Sequence, residues 1–145
     1  SLALLSCFWP NFLNLFMVGF ASSFSAKLSD TFSSEIGKRF GKRTFLITTL
    51  KPVSPGTEGA ISIEGSIAGL LGSFIMTVFM LNLSIISGLS AAFTVFLSGY
   101  LATFLESYIG AVAQNKIDWM TNELVNSIQT SIAAIISIFL YLNFV

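Results

Sequence analysis

Charged residues are confined to short parts of this chain, and long apolar stretches surround them. Three stretches carry no charged side chain at all: 1–26, 65–105 and 124–145. A helix needs roughly 20 mainly apolar residues to cross a bilayer. This pattern predicts membrane-spanning helices in three regions, with two spans in the second of them: 12–29, 65–105 and 124–145.

The start of the chain predicts one further helix. Residues 1–9 are apolar and resemble the end of an earlier span, and Pro10-Asn11 is a turn-forming pair. One helix kinked at Pro10 is the alternative, because proline is tolerated inside membrane bundles. The first residue is Ser, which fits either a processed form or a piece of a longer chain, for example its C-terminal portion.

Composition agrees with a membrane protein. Hydrophobic residues make up 54% of the chain and charged residues 10%, with a mean hydropathy of +0.83. A soluble domain has about 25% charged residues. We therefore expect an all-α fold, a polytopic membrane helix bundle of four to five spans that forms one transmembrane domain over 1–145. A polar Pro/Gly-rich loop over 36–60 would lie at its cytoplasmic or stromal face.

The residue types present exclude several kinds of chemistry. Histidine is absent and Cys7 is the single cysteine, which excludes Ser-His-Asp triads, histidine metal ligands and internal disulfides. The net charge is zero, so no nucleic-acid partner is expected at a basic surface. Membrane lipid is the expected partner, and a homo-oligomer or a membrane complex stays open.

Basic residues orient the predicted bundle. Five of them lie between the first two spans: Lys38, Arg39, Lys42, Arg43 and Lys51. The positive-inside rule places this segment on the cytoplasmic side, or on the stromal side in a plastid. Alternation of the spans then brings the loop with Lys116 and Asp118 to the same side. The acids and amides expected near this face are Asp30, Glu35, Glu58, Glu64, Glu106, Asn122 and Asn126.

Asp30 and Glu35 lie at the polar end of the predicted span 12–29. A structural interpretation is a packing seam in which Lys27 neutralises Asp30. The functional interpretation is a pair of carboxylates at a polar cavity. Magnesium in proteins is held by a few carboxylates together with substrate phosphates, so these acids are candidate ligands.

Glu106 is the sharpest single candidate in the chain. It is the only charged residue between Glu64 and Lys116. Ionisable groups within membrane spans are rare and are functional candidates by default. Asn122 and Asn126 are four residues apart and share one helix face, so we expect both near the same site.

The segment TTLKPVSPGTEGA predicts an irregular loop, since two prolines and two glycines interrupt any helix. Such a backbone can direct several N–H groups at a phosphate, and a surface linker is the alternative. The residues expected to contribute are Thr48, Thr49, Lys51, Gly56, Thr57, Glu58 and Gly59. The preceding GKRFGKRT lacks the spacing of a nucleotide-binding P-loop. Lys38 and most of its basic neighbours are expected to bind lipid headgroups, and steering of an anionic substrate by one or two of them is the alternative.

These motifs together resemble the DUF92 family of polytopic membrane proteins, which includes the phytyl-phosphate kinases of plants and cyanobacteria and the transmembrane protein 19 group. The matching elements are Asp30, SSEIG at 33–37, TTLKPVSPGTEG at 48–59, the glycine-rich 65–72, ESYIGA at 106–111 and TNELVN at 121–126. The residues in these motifs resemble most the plant and cyanobacterial members of the family.

The resemblance implies a kinase that converts phytyl monophosphate to the diphosphate and feeds tocopherol and phylloquinone synthesis. The expected membrane is cyanobacterial, or the envelope or thylakoid of a chloroplast. Mg²⁺ and a nucleoside triphosphate are the expected cofactors. The alternatives are a polyprenyl-phosphate transferase or phosphatase, and a non-enzymatic transporter or assembly subunit.

Each candidate residue has an expected role in that reaction. The catalytic residues would be Asp30, Glu35, Lys51, Glu58 and Glu106. The four acids among them would also hold the magnesium ion. The substrate-binding residues would be Lys27, Thr48, Thr49, Gly56, Thr57, Gly59, Asn122 and Asn126.

Overall fold

The computed structural model describes residues 2–114, 117 and 119–144. Its helices are α1 (Leu2–Phe8), α2 (Leu13–Phe40), α3 (Ile63–Asn82), α4 (Leu89–Ile109) and α5 (Asn122–Phe144). A 3₁₀ turn over Pro10–Phe12 precedes α2, and a π-helical turn over Gly110–Gln114 follows α4. Two short strands, β1 (Thr44–Leu46) and β2 (Ala60–Ser62), complete the fold. The predicted all-α membrane bundle is confirmed. Lys116 and Asp118 lie outside the described residues.

In the described part of the chain, three helical segments are long and apolar enough to cross a membrane, by length and composition: Ile63–Asn82, Leu89–Ala113 and Asn122–Asn143. They coincide with the spans predicted in the last two uncharged stretches. The span predicted over 12–29 forms the first part of α2, which has 28 residues. At about 1.5 Å per residue α2 exceeds the roughly 30 Å hydrocarbon thickness. Its polar second half therefore extends toward the membrane face.

Helix α1 folds back against α2. A Cβ atom added at Gly19 would lie 2.9 Å from the Leu2 Cδ1 atom. In one continuous helix these two residues would be about 25 Å apart. The predicted turn at Pro10 is therefore confirmed, and the kinked single helix is wrong.

Helix α2 is the centre of the bundle, because α1, α3, α4 and α5 all pack on it. Small hydroxyl side chains form the contacts. Ser25 Oγ lies 2.8 Å from Ser73 Oγ on α3. On α4, Thr103 Oγ1 donates to Ser29 Oγ at 2.9 Å. Small polar residues let membrane helices approach closely and hydrogen-bond to one another, so this seam fixes the helices that carry the site.

The loop predicted over 36–60 is more ordered than a linker. Helix α2 continues through its first residues to Phe40, and β1 then pairs antiparallel with β2, with Phe45 opposite Ile61. The other edge of β1 is also occupied, since Leu46 N–H donates to the Lys51 carbonyl at 3.0 Å. The chain therefore turns back sharply over 47–50. The loop that follows, 54–59, returns to the bundle.

Candidate functional site

A polar cavity of about 430 Å³ lies at one end of the bundle. Four parts of the chain line it: the second half of α2, the β1–β2 hairpin, the end of α4 and the start of α5. Its charged lining residues are Lys27, Asp30, Glu35, Lys38, Glu58 and Glu106. Groups far apart in sequence are thus gathered at one place, which we call the polar cavity.

Lys27 links two helices at the wall of the polar cavity. Its Nζ atom lies 3.1 Å from Asp30 Oδ2 and donates to Asn126 Oδ1 at 2.9 Å. The Asp30 side chain is only 14% exposed, whereas that of Lys27 is 48% exposed. The ion pair of the structural interpretation is therefore present, but it faces the polar cavity. Lys27 and Asp30 can therefore form this ion pair and still contact a ligand in the polar cavity.

Glu106 lies half-buried in the last turn of α4. Its Oε2 atom accepts a long hydrogen bond from Ser107 Oγ at 3.5 Å. The carboxylates of Asp30 and Glu58 are close enough to repel it, and Lys27 attracts it. A cation bound in the polar cavity would reduce this repulsion on Glu106.

Gly59 allows the hairpin loop to touch α4. Its φ of +75° lies in the left-handed region that favours glycine. A Cβ atom at this position would also come within 2.6 Å of the Ser107 carbonyl oxygen and would overlap Ala111. This close approach brings the neighbouring Glu58 to the same cavity wall as Glu106.

The glycines of this loop provide a matched test of that contact. Gly56 also has a positive φ, +88°, but has no atom within 4 Å of an added Cβ. We expect Gly56→Ala to cost about 1–2 kcal/mol through backbone strain. Gly59→Ala should cost about 1–3 kcal/mol more, because it adds overpacking. Unfolding in detergent measures both, and equal losses would show that Gly59 does not hold the loop against α4.

The donors in the polar cavity fit a magnesium ion that also binds a phosphate. Among the described residues, four carboxylates and two lysines line it, an excess of two negative charges when all are ionised. In the described part of the chain no three His, Cys, Asp or Glu residues are grouped closely enough to hold a metal together. Magnesium usually takes one or two carboxylates plus phosphate oxygens. The four predicted ligands thus share a cavity without forming a closed cage.

Residues 1–134 match the family model described as integral membrane protein DUF92. The chain belongs to the DUF92 family. It is therefore an integral membrane protein, as the three apolar helices indicate independently.

Two relatives come from photosynthetic organisms. The chain is 48% identical to the uncharacterized membrane protein sll0875 of Synechocystis, over 94% of this chain and 53% of that protein. It is also 48% identical to the protein VTE6, chloroplastic, of Arabidopsis thaliana, over 88% of this chain and 38% of that protein.

A third relative is archaeal, the uncharacterized membrane protein MJ0933 of Methanocaldococcus jannaschii. It is 35% identical over 88% of this chain and 52% of that protein. The chain thus spans about half the length, or less, of these relatives. No solved structure matches it.

Most of the predicted site residues of this DUF92 chain line the polar cavity. They are Lys27, Asp30, Glu35, Gly56, Thr57, Glu58, Gly59, Glu106, Asn122 and Asn126. Thr48, Thr49 and Lys51 do not line it. The turn over 47–50 carries them to the far edge of β1, where all three are exposed. They were expected to bind phosphate with the rest of the loop, but only its second half reaches the bundle.

Lys38 was not expected at the site, but the structure places it there. It was expected to bind lipid headgroups, but it lines the polar cavity of this DUF92 protein, with its Nζ atom 3.9 Å from Glu35 Oε1. The sequence did carry a signal for this position. Lys27, Thr31, Ser34 and Lys38 recur at intervals of three and four residues, which places them on one face of α2. Thr31 was missed in the same way, and Ser34 was named only as part of the motif SSEIG.

Further lining residues were not expected at the site, although Ser33, Gly37 and Ser107 belong to the motifs SSEIG and ESYIGA. They are Ser33, Gly37, Thr44, Ala60, Ile61, Ser62 and Ser107. Several of them reach the cavity only because β1 pairs with β2 and the hairpin folds over α2. That arrangement depends on contacts between distant segments, which hydropathy does not report.

Proposed function

We propose that this protein phosphorylates an isoprenoid monophosphate, with phytyl phosphate as the expected substrate, to its diphosphate. The observation that carries the proposal is the polar cavity itself. It combines carboxylates, ammonium groups and a glycine-containing loop at one end of an apolar bundle. Its volume of about 430 Å³ lies within the 300–1,000 Å³ of typical small-molecule sites. The product would feed tocopherol and phylloquinone synthesis.

The chain's lack of histidine is compatible with this reaction. The attacking group is an oxygen of the substrate phosphate. The second pKa of a phosphate monoester is about 6, so this oxygen is already ionised at neutral pH and needs no general base. Phosphoryl transfer depends mainly on positioning and on neutralising charge. Both tasks suit the lysines and carboxylates of the polar cavity.

Two lysines on one helix suit a reaction between two phosphate-bearing substrates. Lys27 and Lys38 both line the polar cavity. Their separation along α2 is about 16 Å at the helical rise per residue. We assign Lys38 to the isoprenoid phosphate and Lys27, with Asn126, to the phosphates of a nucleoside triphosphate. A lysine ammonium binds a phosphate as a compact point charge.

The carboxylates would hold magnesium between the two substrates. Asp30 and Glu106 are the proposed protein ligands, and Glu35 and Glu58 also line the polar cavity. Bound magnesium would offset the negative charge of the substrate phosphates. The excess of acids would otherwise repel both substrates, so the proposal requires a divalent cation.

The direct test uses liposomes that contain the full-length protein. They receive phytyl phosphate and a nucleoside triphosphate labelled in its terminal phosphate. Labelled phytyl diphosphate is the expected product. Free phytol or label exchange would instead support a phosphatase or transferase, and substrate flux without turnover would support a transporter.

Lys38 and Lys51 give a sharper prediction. Lys51 was expected at the site but does not line the polar cavity, whereas Lys38 does. Lys38→Ala should lower kcat/KM by on the order of 10-fold or more, since a charged hydrogen bond contributes about 1.5–3 kcal/mol. Lys51→Ala is the matched control and should change little, because Lys51 does not line the polar cavity. The readout is the rate at several concentrations of each substrate. A larger loss at Lys51 would contradict the assignment of the site.

A further inference from the structure

A second, smaller cavity of about 240 Å³ adjoins the polar one. Its lining comes from both strands, the first two turns of α3 and the middle of α4. The residues are Phe45, Ile61, Ser62, Ile63, Ser66, Ile67, Leu70 and Tyr100. We call it the apolar groove, since only two of these side chains are aliphatic alcohols and six are hydrocarbon or aromatic.

The apolar groove lies beside the polar cavity, and the two share part of β2. Ile61 and Ser62 of β2 line both spaces. Ser62 is held in place from two sides. Its Oγ atom accepts a hydrogen bond from Gly65 N–H at 3.0 Å, and a Cβ added at Gly37 of α2 would lie 3.2 Å from it. Ser62 therefore lies at a fixed boundary between the two spaces.

The apolar groove lies where membrane lipid can enter. Helices α3 and α4 are candidate spans. The groove residues Ile67 and Leu70 are 56% and 38% exposed on α3. Exposed apolar side chains on a membrane span face hydrocarbon, so a ligand reaches this groove from the bilayer.

We infer that the apolar groove binds the isoprenoid chain of the substrate whose phosphate lies in the polar cavity. The inference rests on the proposed function, because that function supplies a ligand with a charged head and a branched apolar chain. Ile61 and Ser62 lie where the head joins the chain. The adjacent Gly37 and Lys38 of α2 then lie beside the phosphate.

The groove acts by orientation rather than by hydrophobic affinity. Lipid tails are as apolar as leucine side chains, so moving the chain from the bilayer into the groove changes its solvation little. However, holding the isoprenoid chain in one position also holds the attached phosphate in one position. Small errors in the position of reacting groups are costly, since a shift of about 1 Å can lower a rate 100-fold.

The first arm of the test measures binding without turnover. The probe is an isoprenoid monophosphate with a photoreactive diazirine in its chain, incorporated into liposomes with the full-length protein. We expect crosslinks in the segment 61–70 that unlabelled phytyl phosphate suppresses. Crosslinks spread evenly over the lipid-facing residues would overturn the inference. Equal suppression by a straight-chain alkyl phosphate would also overturn it, because the groove would then be a general lipid site.

Two neighbouring leucines supply the matched variants. Leu70 lines the groove and Leu71, which is 52% exposed on the same helix, does not. Leu70→Trp should fill the groove and remove most of the crosslinking, whereas Leu71→Trp should preserve it. Equal effects of the two variants would contradict a specific groove.

The second arm measures turnover as a function of chain length. Leu70→Trp should lower kcat/KM for phytyl phosphate by on the order of 10-fold or more, and leave dimethylallyl phosphate unaffected because its short chain does not reach the groove. Equal losses for both substrates would overturn the inference. Absence of all turnover in the unmodified protein, with specific crosslinking intact, would refute the proposed kinase while supporting the groove.

Discussion

Glu106→Gln should lower the rate of isoprenoid-phosphate phosphorylation by on the order of 100-fold and leave the protein inserted in the membrane. Loss of one preorganised electrostatic group at a reacting centre typically has an effect of this size. Glu106 is half-buried in α4, within electrostatic reach of Asp30 and Glu58. Removing its charge should weaken the proposed magnesium site, and glutamine keeps the shape of the side chain. Rates measured over a range of magnesium concentrations should show a raised requirement for the ion.

Glu123→Gln is the matched control for this variant. Glu123 is an exposed glutamate in the first turn of α5, adjacent to the cavity residue Asn122, but it does not line the polar cavity. Its replacement should leave both the rate and the magnesium requirement unchanged. Near-normal activity of Glu106→Gln, or equal losses in the two variants, would make Glu106 a packing residue.

Asp30→Asn should lower the turnover rate by on the order of 100-fold as well, with little loss of stability. The salt bridge of Asp30 with Lys27 is half-exposed on the lysine side, and such pairs contribute about 0–1 kcal/mol. A purely structural role predicts the opposite pattern, in which activity falls only as far as the folded fraction does. Turnover and detergent unfolding measured on the same preparation separate these roles.

Lys27→Met is the informative companion to Asp30→Asn. Both variants remove the same salt bridge, but Lys27→Met retains the carboxylate that we assign to magnesium. We expect it to lose on the order of 10-fold in turnover through weaker nucleotide binding. Equal losses in activity and in stability for the two variants would show that the ion pair itself, rather than the metal ligand, is what matters.

The membrane helices could be predicted from the sequence because the property that defines them is local. An uncharged stretch such as 65–105 has to satisfy its backbone hydrogen bonds internally when it crosses a bilayer, and a helix does so without any distant partner. The end of α2 was harder to place. Lys38 and Arg39 lie in its last turn, where basic side chains are favoured by the helix dipole, so the helix continues into the predicted loop.

The site could be predicted only in part, because it depends on contacts between distant segments. Asp30 and Glu106 stood out as acids at the ends of apolar spans, and both line the polar cavity. The positions of Lys51 and Thr48 depend on which edge of β1 the chain returns to, and no local pattern specifies that. The apolar groove was not predicted for the same reason, since Phe45 and Tyr100 line one space only in the folded bundle.

Substrate protection of single cysteines tests most directly whether the polar cavity binds the phosphate. The background is Cys7→Ser, which removes the single native cysteine. Thr57 lines the polar cavity, whereas Thr48 is exposed at the far edge of the hairpin. Thr57→Cys and Thr48→Cys are then labelled with a membrane-impermeant maleimide, with and without phytyl phosphate and magnesium. We predict that phytyl phosphate and magnesium together slow the labelling of Thr57→Cys but not that of Thr48→Cys. Phytol should slow neither. Equal labelling of both variants under all conditions would contradict it.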